Sequence, residues 1–354
     1  MAFQINADRQ VHISISEHAA HIIENDMLFF HEGKKGTFLN TVLENYREQA
    51  NASISIRMEE YKASLLETLS GLRQTAIDAS VERLVATKKE ELVRKMEELN
   101  SVKDITTNSV SLRLKDTVFT ALAGRSDICD EDCFYKTTTG KPNAAKYLKT
   151  ILEEYCRLPY LIREKVYFSD RFSMINQAIA DAVQLRIVNE AQCTYHVVPW
   201  KIIDGPQVAY LAGYSYTDDK TKKDKVPCSF RISTIQAIKI EKSRSGFLSK
   251  EDISRLQKRL AEVSIQFMLA DDISFQVRFT PDGEKMFARI INLRPVPLKK
   301  EGNVYSFCCS PIQARNYFHL FGGEAEILPN GNEEIDKLRD EFRRFYKRGA
   351  KVYS

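Results

Sequence analysis

The stretch Val208–Lys242 constrains this chain more than any other. Two runs rich in branched and aromatic residues, 208–216 and 229–240, read as strands, and the loop between them carries Lys220, Lys222, Lys223 and Lys225. In the second run Phe230 and Ile232 lead an apolar set that resumes at Ala237, Ile238 and Ile240 past a bulge. Arg231 and Ser233 therefore face the opposite way. A hairpin so polar on one side cannot stand alone, so it belongs to a small twisted sheet or barrel.

At 354 residues the chain exceeds one typical core, and two or three domains are expected. No run approaches the ~18 apolar residues of a membrane span, and the opening MAFQINADRQ lacks a signal-peptide core. Seven cysteines, an odd number without regular spacing, imply reduced thiols and a cytoplasmic location. The net charge of +4 is too small for global attraction to a polyanion, so any nucleic-acid binding must come from local patches.

Tyr210-Leu211-x-Gly213-Tyr214, followed by Phe230-Arg231-Ile232-x-x-Ile235, resembles the WYL domain, an SH3/Sm-like barrel. The preceding pieces fit: a helix at 173–182, a strand at 184–189, and His196-Val-Val-Pro199-Trp200 leading into the motif. The sequence departs from the family at Ala209, where the family has Trp, and at Thr234, where it has a second Arg. The resemblance implies a ligand or nucleic-acid pocket at Tyr210 and Arg231. Ser233, Tyr214, Arg186, His196 and Lys201 are placed near it by strand order.

Near the start, Val11, Ile13 and Ile15 alternate with Gln10, His12 and Ser14, which marks a strand. Ser16 is an N-cap, and two short amphipathic helices follow, separated by His31-Glu-Gly33-Lys34-Lys35-Gly36. One strand and two short helices cannot bury their own apolar faces. The economical solution is two copies sharing an antiparallel ribbon. That arrangement resembles a ribbon-helix-helix dimer, which implies that Gln10, His12 and Ser14 face nucleic acid. Lys34, Lys35 and Thr37, at the second helix start, would meet phosphate. The alternative is that the ribbon only dimerises.

Residues 55–99 are rich in Glu, Lys, Ala and Leu at three- and four-residue spacing, with a break at Ser70-Gly71, and read as a helical connector. Residues 103–124 and 143–157 read as further helices. Between them, Cys129 and Cys133 lack the second ligand pair a zinc site needs and read as loop thiols. Residues 273–280 alternate as a strand, Pro281-Asp282-Gly283 reads as a turn, and Ser249 as a helix cap. Pro311 opens a helix that Gly322-Gly323 ends, and a short strand at 325–328 precedes a final helix at 333–346. This pattern resembles the extension that follows WYL domains, often part of their dimer. Five cations between Arg343 and Lys351 exceed what a helix end needs.

The expected fold is α+β, with a ribbon-helix-helix at 1–50, a helical connector at 51–160, a WYL barrel at 161–245 and an α+β sandwich at 246–354. An enzyme is not expected, since no Gly-rich phosphate loop, metal motif or nucleophile elbow appears. No cofactor or metal is implied. The combination resembles the WYL accessory proteins of type VI-D CRISPR systems. It implies a homodimer that binds single-stranded RNA, or DNA, and enhances a CRISPR effector nuclease. Two readings stand beside it: a ribbon-helix-helix transcriptional repressor with a ligand-sensing WYL domain, and a dimer that docks on a protein without touching nucleic acid.

Overall fold

The computed structural model describes residues 3, 5, 8–50, 54–69, 74–101, 108–123, 135, 141–205, 207–216, 225–262, 265, 273–291 and 294–352. It is an α+β protein of two units, Met1–Ser169 and Asp170–Ser354.

The first unit begins with strand β1 (Gln10–Ile15), α1 (Glu17–Phe29) and α2 (Lys35–Tyr46). An α-hairpin follows, α3 (Ile54–Thr68) and α4 (Gln74–Ser101). Then come β2 (Asn108–Arg113), α5 (Asp116–Ala123), α6 (Ala144–Arg157) and α7 (Tyr160–Tyr167). The predicted break at Ser70-Gly71 and the loop with Cys129 and Cys133 lie outside the described residues.

Two expectations are corrected here. Residues 108–113 are a strand, not part of a helix. That strand is the antiparallel partner of β1, with Ile13 opposite Val110 and His12 opposite Ser111. The ribbon that the sequence alone assigned to two copies is therefore completed by one chain.

The unit carries the order strand-helix-helix twice, as β1-α1-α2 and β2-α5-α6. Both strands bury alternate residues (Val11, Ile13, Ile15; Val110, Leu112, Leu114), and one residue later a helix opens on an acid, Glu17 or Asp116. The opposite half satisfies each junction. Glu153 on α6 accepts from the Ser16 backbone N–H at 2.6 Å and from Ser16 Oγ at 2.8 Å. Asn40 on α2 accepts from the Lys115 backbone N–H at 2.8 Å and donates to Arg113 O at 3.0 Å. Such bonds satisfy strand-to-helix amides that would otherwise be buried unpaired.

Asp26, fully buried on α1, takes both Arg163 Nε (2.7 Å) and Nη2 (2.9 Å) from α7, and Tyr155 OH at 3.0 Å. A buried pair is tolerated when every polar atom is satisfied, and losing one partner strands the other. Asp26→Ala is expected to cost about 3–5 kcal/mol, read as a lowered urea midpoint. Because β1 pairs within the chain, hydrogen-exchange protection of its amides is expected to be unchanged on dilution.

The second unit opens with α8 (Ser169–Ala180) and a five-stranded antiparallel sheet. Its strands are β3 (Val183–Val188), β4 (Thr194–Asp204), β5 (Ala209–Tyr216), β6 (Val226–Arg231) and β7 (Ala237–Ser245). They run in the order β6-β5-β4-β3-β7. The outer strands do not pair with each other, so the expected closed barrel is corrected to an open sheet. The run 229–240 is also not one bulged strand. A 3-10 turn at Ile232–Thr234 divides it, carrying the chain from the β5 edge to the β3 edge.

Helix α9 (Lys250–Glu262) follows, with Ser249 Oγ capping the Asp252 amide at 3.1 Å as predicted. The rest is a four-stranded antiparallel sheet against helices. Its elements are β8 (Ile273–Phe279), α10 (Pro281–Arg289), β9 (Pro297–Glu301), β10 (Val304–Cys309), α11 (Pro311–Phe318), β11 (Ala325–Ile327) and α12 (Glu333–Val352). Pro281-Asp282-Gly283 is not a turn. Pro281 occupies the first turn of α10, and Thr280 Oγ1 caps the Gly283 amide at 3.1 Å. Phe275, Val277, Phe279, Phe307, Phe318 and Phe321 form the core.

Candidate nucleic-acid interface

Tyr210 and Arg231 are direct register partners on β5 and β6. Both side chains are half-buried on the same sheet face, since opposed residues share a face. Arg231 ends its strand where the 3-10 turn begins, and its Nε donates to Ser233 Oγ at 2.8 Å. Arg171 of α8 donates Nη1 to both the Ile232 and Ser233 carbonyls at 3.1 Å, which anchors the turn. Nothing in the sequence points to Arg171, because a helix residue before the motif has no fixed spacing to it.

The motif glycine has a steric cause. A Cβ at Gly213 would overlap the Val198 carbonyl oxygen, so glycine admits the irregular β4–β5 pairing between Pro199 and Lys201. Ala209, which stands where the WYL motif that this stretch resembles has Trp, is fully buried. Thr234 lies in the 3-10 turn and donates Oγ1 to Arg231 O at 2.9 Å.

The other expected residues do not converge on this pair. Tyr214 is only 2% exposed: α9 lies over it, and its hydroxyl donates to Asp252 O at 3.1 Å. Its ring is thus core rather than a stacking surface, and burial pushes its phenol up. Lys225 from the basic loop reaches Asp252 at 3.0 Å and lies 5.9 Å from the Tyr214 ring; Lys220, Lys222 and Lys223 fall outside the described residues. His196 opposes Arg186 and Tyr216. Tyr216 stands six residues along β5 from Tyr210, about 20 Å at the rise of a strand. His196 Nδ1 instead meets Glu241 at 2.7 Å, and Arg244 joins the same carboxylate at 3.5 Å. Lys201 is exposed, with its ammonium 4.2 Å from the Trp200 ring.

In the first unit Gln10, His12 and Ser14 are exposed on the outer face of the ribbon, as their alternation predicts. The structure sets them opposite Arg113, Ser111 and Ser109. Gln10 Nε2 donates to Ser111 Oγ at 2.7 Å. The outer face thus includes an arginine that the first strand lacks. The alternation of Val110, Leu112 and Leu114 with Ser109, Ser111 and Arg113 is the signal for these three.

Lys34 is the N-cap position of α2, and Lys34 and Thr37 are exposed. Lys35 lies 3.7 Å from Glu24, a surface pair of little energetic weight. Asn40 bonds to Arg113 O, which brings α2 to the end of β2.

No protein-family model matches the sequence, and no curated protein matches it. Among solved structures, the chain is similar along 99% of its length, and 97% of the other, to one described as "Crystal structure of a CRISPR Cas-related protein". The TM-score is 0.74 at 21% identity, which shows a shared fold. A second match, proteasome accessory factor B/C of Arthrobacter aurescens, has a TM-score of 0.29 at 16% identity over 57% of this chain and 31% of that one. Among the described residues, no helix is long and apolar enough to cross a membrane.

The Lys225 ammonium and the Ser249 backbone N–H hold the Asp252 carboxyl below the usual carboxylate range. The stability Asp252 contributes is therefore present above about pH 4, the ordinary value, and lost as pH falls through the depressed folded value. Urea titrations are expected to show a smaller acid loss in Asp252→Asn than in the parent. Ser249→Ala is expected to cost about 1 kcal/mol as a lost cap.

Proposed function

We propose that this chain is a non-enzymatic nucleic-acid-binding accessory protein. Its WYL-type sheet grips single-stranded RNA, and it acts as a homodimer beside a CRISPR effector nuclease whose RNA targeting it raises. The observation that carries the reading is the Tyr210–Arg231 pair, a half-buried ring and a half-buried guanidinium side by side at the end of an open sheet. Unstacked bases need flat partners and phosphates need charge, and this pair offers both. Supporting it are the Tyr210-Leu211-x-Gly213-Tyr214 motif and the strand order with its 3-10 turn. The full-length likeness to a chain described as CRISPR Cas-related supports the proposed setting.

The test is fluorescence anisotropy with a 12-nucleotide RNA and a DNA duplex of the same sequence. Tighter binding to the single strand is expected, with affinity falling steeply as salt rises. Tyr210→Ala is expected to weaken it by about 5- to 100-fold, the range for losing one base stack. Arg231→Ala should also weaken binding, with the sedimentation coefficient unchanged in both. Equal affinity of parent and variants would remove the site.

A second reading, a transcriptional repressor that binds duplex DNA through the ribbon, is favoured by one observation. The polar outer face of β1 and β2 is complete within a single chain. Under it, joint replacement of Gln10, His12 and Arg113 by alanine abolishes duplex binding and leaves RNA binding intact.

A further inference from the structure

Helices α11 and α12 enclose a cleft of about 430 Å³, within the range that takes a small ligand. On α12, Glu341, Arg344, Phe345 and Arg348 fall at i, i+3, i+4 and i+7, so they share one face. Arg315, Asn316 and His319 of the facing segment complete the lining. Three guanidiniums and one carboxylate thus line the cleft, and Glu341 pairs with Arg315 across it at 3.4 Å. Arg344 Nε donates to its own helix at Asp340 O (3.3 Å), while Arg343 pairs separately with Asp340 at 3.0 Å. The chain from Phe342 to its last residue contains Arg343, Arg344, Lys347, Arg348 and Lys351 and no acid.

Helix stability does not call for this arrangement. Dipole compensation acts within the last turn, yet Arg344 and Arg348 precede the final turn of a helix that ends at Val352. Like charges four residues apart repel. The cleft also has a ring at its side. Phe345 is 47% exposed, and the His319 ring meets it edge-on at 5.5 Å. His319 Nδ1 lies 3.2 Å from the Arg315 and Asn316 carbonyls, both acceptors, so that nitrogen carries the proton and the ring is held in place. A shallow groove of about 370 Å³ continues from the cleft past Arg344, Lys347, Arg348 and Lys351.

We infer that this cleft is a second single-strand site, distinct from the Tyr210–Arg231 pair: one unstacked base lies against Phe345, and Arg344 and Arg348 hold its phosphodiester. The groove beyond carries the next phosphate along Lys347 and Lys351. A bare anion would not need the ring, and an apolar partner would not tolerate three guanidiniums, so a base joined to a phosphate fits the lining best.

The test uses the full chain with 12-nucleotide RNA and DNA single strands of one sequence, in anisotropy titrations across salt. For Arg344→Ala/Arg348→Ala, the slope of log affinity against log salt is expected to fall by about 0.7, the value for one lost phosphate contact on a single strand. Phe345→Ala is expected to weaken binding about tenfold with the slope unchanged, and Arg348→Glu to weaken it further than Arg348→Ala. All three positions substituted here are solvent-exposed, so folding should persist, and unfolding midpoints check it. RNA carrying 5-iodouridine is expected to crosslink to the peptide holding Phe345, and the same crosslink with DNA would assign the site to single strands in general.

Unchanged slope and affinity in these variants, while Tyr210→Ala still weakens binding, would overturn the cleft and leave the sheet standing. Loss of a dimer by sedimentation in Phe345→Ala, with nucleic-acid affinity unchanged, would overturn it too, making the face a contact between copies.

Discussion

The pairing of β1 with β2 is the constraint on which the first unit rests. Ile13 and Ile15 on one strand, and Val110 and Leu112 on the other, form a single apolar face. The helices of both halves close over it. Neither half could remain folded alone, because a lone amphipathic strand leaves its backbone and its apolar row unpaired. The reciprocal bonds of Glu153 to Ser16 and of Asn40 to Lys115 make the halves interdependent. The two-stranded ribbon is thus held within one chain. The two halves differ in sequence, so its polar face is asymmetric: Gln10, His12 and Ser14 meet Arg113, Ser111 and Ser109.

The second unit uses an open sheet to a different end. One sheet face is divided between structural and exposed positions. Helix α9 covers Tyr214 and Ala212, and Tyr210 packs half-buried against the same cluster, beside the half-buried Arg231 at the strand ends. The 3-10 turn fixes this division, because it stops β6 at Arg231 and sends the chain across to β3. Arg171 and Ser233 then hold the turn and the guanidinium in place. The placement of Tyr210 beside Arg231 thus follows from how the sheet is terminated, and Ala209 on the same strand is buried.

Much of the local structure was legible. Strict alternation marked β1 and β8, Ser16 and Ser249 marked helix starts, and Pro311 opened α11. The errors arose where one local pattern serves two structures. Pro281-Asp282-Gly283 suits a turn, but Pro is equally at home in the first turn of a helix, and Thr280 was there to cap it. Val110-Ser-Leu-Arg-Leu alternates as clearly as Val11-His-Ile-Ser-Ile, yet five residues are too few to outweigh the helical pattern on either side. The repeat, apolar at every second position and then an acid, was visible in the letters. Among site residues, exposure of Gln10, His12 and Ser14 followed from periodicity, whereas burial of Tyr214 depended on α9, forty residues away, settling above it.

By itself, then, the sequence determined which face of each strand is apolar, where most helices begin, and that the fold is α+β, because periodicity and capping act over a few residues. It also carried the motif that places Tyr210 near Arg231. Only the tertiary structure decided that β1 pairs with β2 rather than with another copy, that the sheet stays open, and that His196 is held by Glu241 far along the strand from Tyr210. Strand partners are chosen by hydrogen bonds between residues distant in the chain, and an alternating pattern states only that a partner is required.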